Sequence, residues 1–126
     1  MDLIAITRQV SSQIGSCELT HLQRQPINYA LAREQHHAYE QALKSFGFQV
    51  MSLLPESDFP DSVFVEDTAL VLDELAVLMR PGAESRRGEV SSIAQALQPY
   101  RPLNYIQAPA TIDGGDILVV GKDVYV

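Results

Sequence analysis

Short apolar runs broken by charged and turn-forming residues, rather than long amphipathic stretches, set the pattern of this 126-residue chain. Leu3 to Thr7 reads as a strand, and the sparse apolar positions of Arg8 to Gln25 predict a loop. Pro26 opens a predicted helix with an apolar stripe through Leu31, Ala38, Ala42, Leu43 and Phe46 and a stop at Gly47. Phe48 to Leu54 follows as a strand, then an acidic loop. Two further apolar runs, Ala69 to Leu72 and Leu75 to Met79, are divided by Asp73-Glu74 in the manner of a hairpin. A second helix is expected to start near Ser85. It places Val90, Ile93, Ala94 and Leu97 on one face and stops before Pro99 and Pro102.

The same order then recurs. Leu103 to Gln107 reads as a strand, Asp113-Gly114-Gly115-Asp116 as a loop, Ile117 to Val120 as a strand, Gly121-Lys122-Asp123 as a turn, and Val124 onward as another strand. Asp67-Thr68-Ala69-Leu70-Val71-Leu72 aligns with Asp116-Ile117-Leu118-Val119-Val120-Gly121, 49 residues further on, a spacing within the range of repeat architectures. Each repeat is a helix, a strand, an acid-bearing loop and a hairpin, which predicts an α/β fold. Because the second hairpin stops about three residues into its last strand, the expectation is half of a larger fold, truncated in a strand. Such an open edge favours pairing with another chain and oligomerisation.

Composition narrows the class. With 46% hydrophobic and 20% charged residues the chain fits one soluble globular domain. No apolar run reaches the roughly 20 residues of a membrane span, and Asp2 without a basic region does not read as a signal peptide, so the cytoplasm is the expected location. Sixteen acids against nine bases, a net charge of −7, argue against nucleic acid or an anionic membrane as partner. A single cysteine, Cys17, excludes an internal disulfide and a multi-cysteine metal site.

The charges are unevenly spread. Ser45 to Met79 holds seven acids and no Lys, Arg or His, and three of those acids, Asp61, Glu66 and Asp67, interrupt the apolar run around Val63, Phe64 and Val65. A carboxylate among apolar residues is costly without a positive partner, so these await a guanidinium or ammonium group; solvated acids at a turn and strand end are the alternative. Arg86 and Arg87 fall at the predicted start of the second helix, where cations are disfavoured by roughly 0.3–1 kcal/mol each and an anion is favoured. They either bind an anion or form salt bridges to Glu84, Glu89 or the acidic loop. An amino acid with a cationic side chain would use both the acids and the arginines.

FPDSVFVEDTALVL (59–72), RPGAESRRGE (80–89) and TIDGGDILVVG (111–121), in this order and spacing, resemble dimethylarginine dimethylaminohydrolase of the pentein, or guanidino-group-modifying, superfamily. The resemblance covers essentially the whole chain. It implies a partial α/β propeller with about two to two and a half of five ββαβ repeats, so that residues 1–126 form the N-terminal half of a single domain; five 49-residue units would come to about twice this length. The implied activity is hydrolysis of methylated arginine to citrulline and an alkylamine through a cysteine thiolate, with no cofactor and no metal. The resemblance places Asp61, Glu66 and Asp67 at the substrate guanidinium, Arg86 on its α-carboxylate and Leu19 in a covering loop. It makes Asp113 the acid that orients the catalytic histidine.

The family's nucleophilic cysteine and its histidine would both come after Val126. Cys17, beside Gly15, Ser16 and Glu18, has no base next to it and reads as a small buried cysteine. His36 and His37 point about 100° apart and read as surface helix residues, and nothing assigns a role to His21. Two alternatives stay open: an arginine or agmatine deiminase-like enzyme of the same fold and chemistry, and a non-catalytic guanidine-binding or assembly module.

Overall fold

The computed structural model describes residues 3–126, so Asp2, on which the signal-peptide expectation rests, lies outside the described residues. The chain divides into two compact units at Val63/Phe64. In the first, β1 (Ile4–Arg8) and β2 (Gln49–Leu53) pair in parallel, Ile4 opposite Gln49 and Arg8 opposite Leu53. Parallel neighbours need a crossover, and α1 (Tyr29–Ser45) supplies it. The segment between β1 and α1 contains a 3-10 turn at Ile14–Ser16, where Val10, Ile14 and Cys17 form a small core against Tyr29, Ala32 and Val63. Cys17 is a free, buried thiol serving as packing.

The ends of α1 follow from particular residues. Asn28 rather than Pro26 starts it, its side-chain oxygen accepting from the Leu31 N–H at 3.0 Å. At the other end Gly47 takes φ +90° while its N–H bonds the Lys44 carbonyl and the Phe48 N–H bonds that of Leu43, a Schellman closure that only glycine adopts without strain. The buried face departs from the expected stripe. Leu31 and Phe46 are 48% and 78% exposed, whereas Tyr29, Ala32, His36, Glu40 and Leu43 are partly or fully buried. A carboxylate therefore sits on the sheet-facing side. Glu40 Oε1 accepts from the Thr7 hydroxyl at 2.6 Å and lies 3.2 Å from His36 Nε2, and these contacts make the polar face compatible with burial.

The second unit begins with a 3-10 turn at Val65–Thr68 and the antiparallel hairpin of β3 (Ala69–Val71) and β4 (Ala76–Leu78). Next come a 3-10 segment at Glu84–Glu89, α2 (Val90–Leu97) and β5 (Leu103–Tyr105), which joins β4 in parallel. A third 3-10 turn, Gly114–Asp116, leads into the hairpin of β6 (Leu118–Val120) and β7 (Asp123–Tyr125). Gly121 takes φ +63° in its two-residue turn, as the right-handed twist of paired strands requires. The order α1–β2–turn–hairpin is thus repeated as α2–β5–turn–hairpin, in agreement with the 49-residue sequence repeat. α2 buries Ile93, Ala94 and Leu97, and β4 supplies Ala76 and Leu78, both fully buried. Ser85 does not cap the helix: it lies inside the 3-10 segment, so Arg86 and Arg87 precede α2 instead of opening it. Among the described residues no helix is long and apolar enough to cross a membrane.

Two expectations follow. Leu78→Ala should cost about 2–5 kcal/mol, read as a lowered urea midpoint with the loss concentrated in the second unit; a loss below about 1 kcal/mol would mean that β4 is not the centre of that core. Burial alone would raise the Glu40 carboxyl, but hydrogen bonds from Thr7 and Ser52 and the neighbouring His36 hold it below its ordinary 4.5. A carboxyl lowered on folding stabilises the native state fully above pH 4.5 and progressively less as pH falls through its native value. Wild type should therefore lose more stability than Glu40→Gln between about pH 6 and about pH 3, and parallel curves would remove Glu40 from the acid response.

Candidate functional site

The acidic turn of the second unit is built on its own cation. Asp67 Oδ2 accepts from Arg86 Nη1 at 2.7 Å, and Oδ1 accepts from the Gly115 N–H at 3.1 Å. Arg86 also donates from Nε to Glu89 Oε1 (3.1 Å) and from Nη2 to Glu89 Oε2 (2.9 Å), a two-pronged clamp, and reaches the Phe64 carbonyl at 3.4 Å. Arg86 and Glu89 are 9% and 2% exposed. Burial would lower the Arg86 pKa, but Glu89 and Asp67 together hold it above the usual arginine value, so the guanidinium stays charged. Of the two sequence readings of Arg86, the salt bridges to Glu89 and the acidic loop are the ones formed. Arg87 likewise pairs with Glu84 (3.4 Å) and donates to the Pro81 carbonyl (2.9 Å).

The charge balance leaves the turn negative. One guanidinium faces two carboxylates in the Asp67–Arg86–Glu89 cluster, and the adjacent Glu66 is exposed with no hydrogen bond or ion pair among the described residues. Formally two negative charges remain unmatched on this turn. The Val65–Thr68 turn holds its shape through Thr68 Oγ1 on the Val65 carbonyl (2.6 Å) and the Asp67 N–H on the Phe64 carbonyl (3.2 Å).

The Asp113-Gly114-Gly115-Asp116 loop meets this turn at close range. A Cβ on Gly114 would overlap the Glu66 carbonyl oxygen, and one on Gly115 would overlap Asp67 Oδ1. Both glycines are required by the approach of backbone to backbone and of backbone to carboxylate. Neither was singled out by the sequence as a site residue, although a paired glycine beside two acids is the signal that could have done so. The loop is registered by the Ile112 N–H on the Arg80 carbonyl (2.9 Å), and Asp113 Oδ2 accepts from the Gly82 N–H at 3.3 Å.

Asp61 and Leu19 belong to the first unit. Asp61 is 6% exposed and its two oxygens accept the Glu18 N–H at 3.0 and 3.3 Å, tying it to the segment in which Leu19 is 40% exposed. Arg24 Nη2 holds the same segment through the Cys17 carbonyl at 2.7 Å. His36, read from the sequence as a surface residue, is half-buried against Glu40.

No family model matches the chain. It is 39% identical over 123 residues to the N(G),N(G)-dimethylarginine dimethylaminohydrolase of Streptomyces coelicolor, covering 97% of this chain and 48% of that protein. It is 46% identical over 101 residues to the Pseudomonas aeruginosa protein of the same name, covering 79% and 40%. The solved structure of a mutant of the Pseudomonas aeruginosa enzyme complexed with citrulline superimposes with a TM-score of 0.94 at 40% identity, over all of this chain and 50% of that one. The chain spans about half the length of these relatives, and the mixed α/β architecture is the one that they share with it.

Gly114→Ala should destabilise the second unit by more than Gly82→Ala, whose Cβ would meet only Asp113 Oδ2 at an ordinary 3.6 Å. The expected difference in urea midpoint corresponds to about 1–3 kcal/mol; equal effects would mean that the two turns can part without cost.

Proposed function

We propose that this chain, a dimethylarginine dimethylaminohydrolase-like chain of the pentein type matching about half the length of those proteins, is the guanidinium-recognising part of a hydrolase that converts methylated arginine to citrulline and an alkylamine. The observation that carries this reading is the residual negative charge on the Val65–Thr68 turn after Arg86 has been counted, with Glu66 unpaired among the described residues and Asp67 immobilised. A planar guanidinium offers N–H pairs that match such carboxylates.

In this proposal Glu66 and Asp67 accept from the substrate guanidinium, while Asp61 of the first unit anchors the segment that carries Leu19. Arg86 fixes Asp67, and to bind the substrate α-carboxylate it must share a donor now used inside the cluster. A cysteine thiolate from outside these 126 residues attacks the guanidinium carbon. The alkylamine leaves with a proton supplied by a histidine, water then attacks the thiouronium carbon while returning a proton to that histidine, and citrulline is released as the thiolate re-forms. Asp113, with one oxygen on the Gly82 N–H, is proposed to orient that histidine and stabilise its cationic form.

Residues 1–126 alone should bind but not turn over substrate, since Cys17 is buried packing without an adjacent base. The β6–β7 hairpin, with Leu118, Val120 and Tyr125 61%, 55% and 58% exposed, supports association with further polypeptide as the route to an active species. A guanidine-binding module without catalysis is the second reading, favoured by that same buried cysteine.

Isothermal calorimetry of the chain with asymmetric dimethylarginine is the test. Saturable binding in the millimolar range or tighter is expected, weakened about tenfold or more by Glu66→Gln and by Asp67→Asn. Absence of heat at about 10 mM ligand, or variants that bind like wild type, would overturn guanidinium recognition by this turn.

A further inference from the structure

We propose a second binding site, for a small oxyanion of the carboxylate or phosphate class, in the cavity between α1 and the ends of the β1–β2 pair. It lies wholly in the first unit and uses none of the residues assigned above. The cavity encloses about 390 Å³, at the lower end of the range for small-molecule sites. Tyr29, Arg33, His36, His37 and Glu40 line it from α1, and Gln9 lines it from the segment after β1.

Arg33, His36, His37 and Glu40 stand at i, i+3, i+4 and i+7, so one face of α1 presents all four. The one carboxylate in the lining is hydrogen-bonded from within. Glu40 is 8% exposed and takes the Thr7 hydroxyl, Ser52 and His36 as hydrogen-bond partners. As an ionised acceptor it makes His36 Nε2 a donor and fixes that ring. The Tyr39 ring lies 6.0 Å from that of His36 between centroids, tilted by 45°.

The cation is unspent. Arg33 sits 5.6 Å over the Tyr29 ring centroid, a contact that orients the guanidinium without neutralising it, and among the described residues it has no carboxylate partner. His37 has no polar partner among the described residues either. The cavity wall therefore offers a guanidinium, an imidazole and the Gln9 amide, with its one carboxylate already saturated by protein donors. A compact group with two or three acceptor oxygens complements that set, and a guanidinium forks onto either a carboxylate or a phosphate.

Titration of the full chain with inorganic phosphate and, separately, succinate, followed by amide NMR, tests the site, with sodium chloride at matched ionic strength as the control. Saturable shifts confined to residues 9–10 and 29–40 are expected with at least one of the two oxyanions, and which one responds assigns the source of the group. Arg33→Ala should weaken binding about tenfold, and Lys122→Ala, the same charge change in the other unit, should leave it within about twofold. Shifts reproduced by chloride, or equal weakening in the two variants, would overturn the site and reduce the effect to ion atmosphere. Dimethylarginine binding at the acidic turn is unaffected by Arg33→Ala in either case, so the two proposals fail separately.

Discussion

A buried guanidinium clamped between two carboxylates is the constraint on which the second unit depends. Arg86 is held by both oxygens of Glu89 and in turn holds one oxygen of Asp67, while the Gly115 N–H holds the other. Removing Arg86 would leave both Asp67 and the 2% exposed Glu89 without their cation, which costs more than the pairs themselves contribute. The cluster fixes the orientation of Asp67 and yet does not neutralise the turn, because its single positive charge faces two negative ones and Glu66 stands beside it unpaired among the described residues. Rigidity and a surplus of negative charge thus arise from the same interaction, and both favour a planar cation with several N–H donors.

The repeat explains how the parts of this arrangement meet. The 3-10 turns at Val65–Thr68 and Gly114–Asp116 each follow a strand that a helix has carried across in parallel, and each leads into a hairpin, so these corresponding turns occur 49 residues apart. The two turns of the second unit then touch through the glycines of the later one and the acids of the earlier one. A side chain at Gly114 or Gly115 would occupy the space of the Glu66 carbonyl or the Asp67 carboxylate, so backbone geometry and site chemistry are not independent here.

Much of this was legible in the chain. Strand and hairpin positions followed from short apolar runs, and the end of α1 from Gly47, because these are local properties of the residues concerned. The α1 face was not. The apolar positions Leu31, Ala38, Ala42 and Phe46 are exposed, while His36 and Glu40 are sheltered, since partners from β1 and β2 that are distant in sequence satisfy the buried carboxylate. The partner of Asp67 was ambiguous for the same reason: no cation lies within its local window, and only the folded chain brings Arg86 onto it. The helix-terminus argument for Arg86 and Arg87 failed because the residues fold as a 3-10 segment ahead of α2, where the dipole of α2 does not bear on them as assumed.

A double-mutant cycle between Asp67→Asn and Arg86→Gln, measured by urea unfolding of the chain, tests the central interaction most directly. A coupling energy of about 1 kcal/mol or more is expected for this charge pair, with each single variant costing nearly as much as the double. Losses that add to within about 0.5 kcal/mol would mean that Arg86 does not hold Asp67, and the preset acidic turn would have no physical basis.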